Sequence, residues 1–384
     1  MKKNCGHPDI VRLRTIGTMI GGMIGVGVFG LPYAFAQSGW ALGFVMLLVL
    51  GFLIFLINIM YAEINVQTSG QHRLSGYVKK YLGPNWSHFA AAMFVPYAWG
   101  AMLAYMLVGG DFLHTLLSPL LGGELLVYQL VTAILAAMIT FGGIKKLAKI
   151  EFWIICALLF LFVFMILVSL PSLEWRNVSS LHFENWFLPY GVIFFALSGL
   201  GVIPEMKDIL GERRLKELPQ IVFAGQILIL ILYALFALAV VGVTGPATTP
   251  AAFDGLASMF GQTFAIAGSL LGSIIIISIF SVVSIEMQDV FRFDYKINQK
   301  ISWALASFVP VLLLFLGIHQ FVELIGFLGA VFGGVIGILV VVMYRKMFYG
   351  GHCKTRECLK IPALVSWLLM AIFAGGIIQT IIGF

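Results

Sequence analysis

The stretch TIGTMIGGMIGVGVFGLPYAFAQSGW, residues 15–40, is apolar enough for lipid yet too rich in glycine to cross it as one regular helix. Gly17, Gly21, Gly22, Gly25, Gly27 and Gly30 precede Pro32 within it, and each glycine weakens a helix by about 1 kcal/mol relative to alanine. Small residues at spacings such as Gly21 to Gly25 also serve close packing of membrane helices. Packing alone would place the glycines on one face, whereas Gly21, Gly22, Gly25 and Gly27 project in several directions. The favoured reading is a helix broken inside the membrane, its freed amides and carbonyls turned to a polar cavity rather than to lipid.

A second stretch, LPYGVIFFALSGLGVIPEMKDIL (188–210), is interrupted in the same way. Ser198-Gly199-Leu200-Gly201 falls in mid-membrane and Pro204 follows near one end. Two such interruptions at the starts of five-span blocks point to an internal repeat. Because five is odd, the second block enters the membrane with opposite orientation, so the repeat is inverted.

The rest of the chain agrees with a lipid solvent. Its 384 residues are 61% hydrophobic and only 10% charged, against about 25% charged in soluble domains, and the mean hydropathy is +1.03. An ordinary soluble enzyme is excluded. Long unbroken apolar runs exclude a β-barrel, whose strands alternate over about ten residues, and leave an all-α polytopic membrane protein. Eleven spans are expected, near 11–36, 41–65, 88–117, 124–141, 150–170, 186–206, 218–244, 263–287, 301–317, 321–344 and 362–384. The basic N-terminal residues before an apolar run resemble a signal peptide, but the run passes Ala36 without a small-residue cleavage site, so it reads as a retained span. With the N-terminus cytoplasmic, every lysine and arginine of the 23 except Arg176 falls on the inner side, as the positive-inside rule requires. The C-terminus is then extracytoplasmic, and in a prokaryote the membrane is the inner one. The net charge of +6 follows from this topology, with the bilayer as partner and no nucleic acid invoked.

Cys5, Cys353 and Cys358 fall on the cytoplasmic side and Cys156 lies inside a span, so all four are expected to be reduced. His352, Cys353 and Cys358, with Cys5 and His7 nearby, lack the paired spacing of a zinc site and read as loop residues. Asn177-Val178-Ser179 matches a glycosylation sequon, a three-residue match that matters only in a eukaryotic secretory context.

The string IGGMIGVGVFGLP resembles the glycine-rich signature of the amino acid-polyamine-organocation superfamily, commonly G-x-I-G-x-G-[IV]-F followed by proline. Tyr61-Ala62-Glu63-Ile64 is similar to that family's YAEL stretch. Phe194-Phe195-Ala196-Leu197-Ser198-Gly199 with Val202-Ile203-Pro204-Glu205 resembles the amino acid/auxin and aromatic amino acid permease branches. The resemblance implies a LeuT-type fold: one domain over 1–384, with 11–170 and 186–344 as five-helix inverted repeats, broken helices 1 and 6, and 362–384 as a peripheral eleventh helix. It also implies a secondary amino acid permease. Half-helix N-termini carry partial positive and C-termini partial negative charge, so one zwitterion satisfies both without an ionised side chain. By motif position Gly25, Val26 and Gly27 supply amides, and Gly22, Met23, Phe195 and Leu197 supply carbonyls or walls. Ser198 and Gly199 stand at the second break, and Phe195 holds the place of an aromatic gate or else faces lipid.

Neither break contains Asp, Glu, Lys or Arg, so a charged substrate side chain would lose its hydration without gaining a partner. Neutral, hydrophobic or aromatic amino acids are the expected substrates. Tyr97, Trp99 and Tyr105 on span three offer hydroxyls and ring faces to the site or serve packing. No metal or cofactor is expected, and the coupling ion is a proton or sodium. For sodium the resemblance implies Gly21 and Ile24 on span one with Ser278 and Ser281 on span eight, although serines also bond their own helix. Where some proton-coupled relatives place a lysine on span five, Cys156, Ala157 and Leu158 stand here. Among intramembrane carboxylates Glu205 ranks first as a proton carrier, before Asp111, Glu286 and Glu63. Uniport or exchange, carriage of another small organic solute, and a polytopic enzyme stay open. No HExxH motif or paired carboxylates favour the enzyme, and no continuous polar lining favours a channel. A transition-metal carrier of this fold would be expected to hold Asp and Asn in the first break, where Gly and Met stand. Oligomeric state is not written in the residues.

Overall fold

A computed structural model describes residues 8–141, 147–351, 353 and 358–383. Its described residues form helices and connecting turns. In chain order they are α1 (Pro8–Met23), α2 (Gly27–Ser38), α3 (Trp40–Gln67), α4 (Leu74–Leu82), α5 (Pro84–Leu121), α6 (Leu125–Phe141), α7 (Leu147–Ser169) and α8 (Trp175–Val178). There follow α9 (Leu188–Ala196), α10 (Ile203–Arg214), α11 (Leu218–Thr244), α12 (Phe253–Phe260), α13 (Gln262–Asp289), α14 (Gln299–Phe315), α15 (Phe321–Phe327), α16 (Gly334–Tyr349) and α17 (Ala363–Gly383). A short π-helical stretch, Leu328–Gly333, joins α15 to α16.

Seven of the described segments are long and apolar enough to cross a bilayer, eight if the bent α1–α2 pair is one span. Both interruptions expected from the sequence are present: α1 and α2 meet at 57°, and residues 197–202 separate α9 from α10. α6 and α14 are shorter, 17 residues each, about 26 Å at the helical rise. The outer faces carry large apolar side chains, among them Phe160, Leu167, Met138, Leu364, Trp367 and Ile382. Such surface has only hydrocarbon as a suitable solvent. α17 shows much of its surface outward and packs on α16, a peripheral placement.

Within lipid, burying one more leucine against a neighbour gains little hydrophobic free energy, so close fit and interhelical hydrogen bonds hold the bundle. α13 runs along α5, α11 along α3, and α2 along α9. Phe29, on the first turn of α2, meets Phe112 of α5 at 5.5 Å, Phe162 of α7 at 5.7 Å and Phe236 of α11 at 6.4 Å between ring centroids. Asn58 of α3 donates to the buried Gln226 of α11 at 3.0 Å. The turn from α2 to α3 requires glycine: Gly39 has φ +91°, and a Cβ there would lie 2.8 Å from the Cα of Leu181.

The cysteines correct one expectation. Cys353 and Cys358 are joined by a disulfide; five residues of separation bring their Cα atoms to 6.2 Å, within disulfide reach. Cys156 is a free thiol. Cys5, His7 and His352 lie outside the described residues. Asn177 of the sequon is structural, its amide donating to the Gly242 carbonyl at 2.9 Å.

Candidate functional site

The first break is made by three residues. Ile24 N–H makes the last helical bond of α1, to Ile20 O at 2.9 Å, and Gly25 N–H turns back to Met23 O at 2.9 Å. The glycines around it serve four different neighbours. A Cβ on Gly21 would strike Ile155 of α7 at 2.5 Å, one on Gly25 the Tyr105 hydroxyl of α5 at 2.7 Å, and one on Gly27 the ring of Phe195 at 2.8 Å. Gly22 faces Val202 at the start of α10. This is the multidirectional pattern of a break rather than of one packed face.

The second break takes six residues. Ser198 N–H reaches Phe195 O at 3.3 Å and Val202 N–H reaches Gly199 O at 3.2 Å. Pro204 then sits in the first turn of α10, where its missing N–H is no loss. The breaks are fitted to each other. Gly27 admits Phe195 and the backbone of Ala196, and Gly199 admits Met23, whose Sδ would lie 2.8 Å from an added Cβ.

Three tyrosines line the pair. Tyr97 bonds the Ser198 side chain and its ring lies 5.7 Å from that of Phe195. The Tyr105 hydroxyl accepts a bond from the Val26 backbone. Tyr233 of α11 is completely buried, and its hydroxyl is 3.0 Å from Met23 O and 3.1 Å from Ala196 O. Phe195 is therefore a wall of the site rather than a lipid-facing ring. Leu197 is buried beneath the turn, its N–H bonded to Ile193 O at 2.9 Å.

Access differs on the two sides. Val26, Val28 and Leu31 show no exposed surface, whereas Gly22 and Gly201 are exposed and Gly25 and Ser198 half-buried. The break is thus sealed along α2 and open toward α10. At the end where α2 finishes and α9 starts lies a separate cavity of about 770 Å³, lined by Tyr33, Gln37, Asp111, Gln129, His319 and Glu323 among others. Asp111 borders that cavity, which accounts for a carboxylate at this depth. At the opposite end Arg73 pairs with Asp208 of α10 at 3.2 Å, and its field also reaches Glu205 and Glu286. Lys207 of α10 donates to Thr68 O at 2.6 Å, Gly70 O at 2.8 Å and the Tyr77 hydroxyl at 3.3 Å. Burial, helped by Lys80 and Lys207, pushes the His72 pKa down in this loop.

Of the coupling candidates, Ser278 and Ser281 bond their own helix, to Ile274 O and Ile277 O at 2.7 Å each. Gly21 faces α7, and Ile24 is fully buried. Glu205 stands in the first turn of α10 within the field of Arg73. Glu286 of α13 also reaches the second break, its carboxylate 3.9 Å from where a Gly201 Cβ would be. Glu63 is bonded by Gln67 at 2.8 Å. Tyr233 was not legible as a site residue, although a lone tyrosine in the apolar run of α11 is the kind of signal that marks one. Arg73 and Lys207 likewise carry no motif.

Two interrupted helices facing each other, with no charged residue inside either interruption, define an integral membrane transporter of the broken-helix class. The comparisons agree. The family described as transmembrane amino acid transporter protein matches residues 10–382, and the chain belongs to that family: it is an amino acid permease and not an enzyme. It is 23% identical over 399 residues to the tyrosine-specific transport system 1 of Haemophilus influenzae, covering 94% of this chain and 98% of that protein. Its fold is that of the crystal structure of MhsT in complex with L-phenylalanine, at 17% identity and a TM-score of 0.69 over 97% of this chain and 98% of that one.

Proposed function

We propose that the protein carries neutral amino acids with aromatic or large apolar side chains, one at a time, by alternating access at the paired breaks. The observation that carries this reading is the pairing itself: the amides of Val26 and Gly27 and the carbonyls of Met23 and Ala196 face one another, with the Gly25 amide bonded to Met23 O, and neither break contains a charged residue. A zwitterion supplies both missing charges there. The uncharged wall of Phe195 and Tyr97 suits a ring better than an ammonium or carboxylate, which would be stripped of water without compensation. The names of the Haemophilus relative and of the MhsT complex support the aromatic preference.

Residues 11–170 and 186–344 act as inverted five-span repeats with 362–384 outside them. The mutual packing of α2 with α9, α3 with α11 and α5 with α13 supports that division, since a pseudo-two-fold axis brings equivalent helices together. The N-terminus is cytoplasmic, which places Arg73 and Lys207 at the inner mouth and the 770 Å³ cavity at the outer one. Transport is driven by a proton or sodium gradient. The placement of Glu286 and Glu205 on the open side of the second break supports protons, and the two α13 serines keep sodium in play. The test is uptake of a labelled neutral amino acid panel into proteoliposomes with sodium and pH gradients imposed separately. Accumulation of tyrosine or phenylalanine under one gradient is expected and identifies the ion. Absence of uptake, with exchange tested from preloaded vesicles, overturns the substrate reading.

A further inference from the structure

We propose that Tyr233 positions the ammonium end of the substrate site, holding the C-termini of the two half-helices together through a hydroxyl shared by Met23 O and Ala196 O. This rests on the reading that the breaks hold an α-amino acid.

Met23 and Ala196 are the last residues of α1 and α9. A helix end leaves its final carbonyls without helical partners and with partial negative charge. Two such ends facing each other repel, and inside a membrane they need a donor or a cation between them. The Tyr233 hydroxyl lies between them at 3.0 and 3.1 Å on a side chain with no exposed surface. A phenol has one proton, so it donates to one carbonyl at a time and leaves the other to be met by an incoming ammonium. On the opposite side Tyr105 accepts from the Val26 backbone. The break therefore has a donor hydroxyl at its negative end and an acceptor hydroxyl at its positive end, an uncharged counterpart of the zwitterion it binds. Tyr233 acts through the two carbonyls. Its loss should loosen the ammonium end and leave the carboxylate end in place.

Tyr233→Phe keeps the ring and removes the hydroxyl. Inhibition of labelled L-tyrosine uptake in proteoliposomes is measured with unlabelled L-tyrosine and with 3-(4-hydroxyphenyl)propionate, which keeps ring and carboxylate but lacks the amine. The half-inhibitory concentration of L-tyrosine should rise about three- to tenfold, a loss of the size expected for one missing neutral hydrogen bond, while that of the propionate stays unchanged. Equal weakening of both, no weakening of either, or greater weakening of the propionate overturns the proposal. If Tyr233→Phe is not recovered folded, Tyr233→Met likewise removes the donor and is read by the same ratio, with the same outcomes decisive. If the wild-type protein carries another neutral amino acid instead of tyrosine, that amino acid and its desamino analogue replace the pair, so failure of the substrate reading and failure of this one are separable.

Discussion

The break between α1 and α2 spans residues 24–26 and is clasped by rings, whereas the break between α9 and α10 spans residues 197–202 and opens into a polar mouth. Beyond the first break Phe29 is locked among Phe112, Phe162 and Phe236. Beyond the second, α10 is tied by Arg73–Asp208 and by the three bonds of Lys207. Interdigitated rings cannot separate without leaving a void, but ions and carbonyls exchange their partners for water at modest cost. The polar contacts of α10 are thus the cheaper ones to exchange, and α2 is the more firmly packed of the two half-helices.

The most severe way to break this comparison is at its short side. Gly25→Leu should abolish uptake while leaving folded protein in the membrane, checked by size exclusion beside the transport assay, because even a Cβ at Gly25 lies 2.7 Å from the Tyr105 hydroxyl. Normal transport by that variant would remove the first break from the site. Next comes a matched pair at the mutual contacts. Gly27→Ala must push backbone, since its Cβ falls 2.9 Å from the Ala196 Cα, while Gly199→Ala meets only the flexible Met23 side chain. Overpacking against fixed atoms costs about 1–3 kcal/mol, so KM for Gly27→Ala should worsen by about tenfold or more and that for Gly199→Ala by far less. Equal effects would show the breaks to be equally pliant.

The tethers should sort likewise. Lys207→Met strands the buried Thr68 carbonyl, worth about 1–3 kcal/mol of stability. Arg73→Gln breaks a partly exposed pair worth about 0.2–1 kcal/mol; thermal melts in detergent check both. The smallest effect concerns pH. The His72 pKa is lowered in the folded state, so its contribution is present above the unfolded value of about 6.5 and is lost as pH falls below it. His72→Gln should therefore flatten the decline in melting temperature between about pH 7.5 and 5.5.

Much of this site could be read along the chain, and for one reason: the chemistry is carried by backbone. Glycines at 21, 22, 25 and 27 announce a break because helix propensity acts within a few residues, and the missing charges at both breaks are visible in any listing of the chain. Along the chain Phe195 fits a gate or a lipid contact equally, and the ring of Tyr97, 5.7 Å away, decides between them. Glu205 outranked Glu286 in the sequence because it borders the second break along the chain. The fold brings Glu286 to the same break, from a helix some 80 positions on. The four thiols expected to be free include a bonded pair, Cys353 and Cys358.

What the sequence by itself determined is the solvent, the helical class, the two places where helices give way, and the lack of charged residues within them. Each of these follows from composition or from propensity over a few turns, which need no partner to be expressed. The tertiary structure decided that the two breaks face one another, that Tyr233 arrives from α11 to join their carbonyl ends, and that Arg73 and Lys207 tie down one half-helix and not the other. Those outcomes depend on contacts between residues more than a hundred positions apart. In lipid such contacts are chosen by close fit and hydrogen-bond satisfaction, which no local pattern of hydrophobicity records.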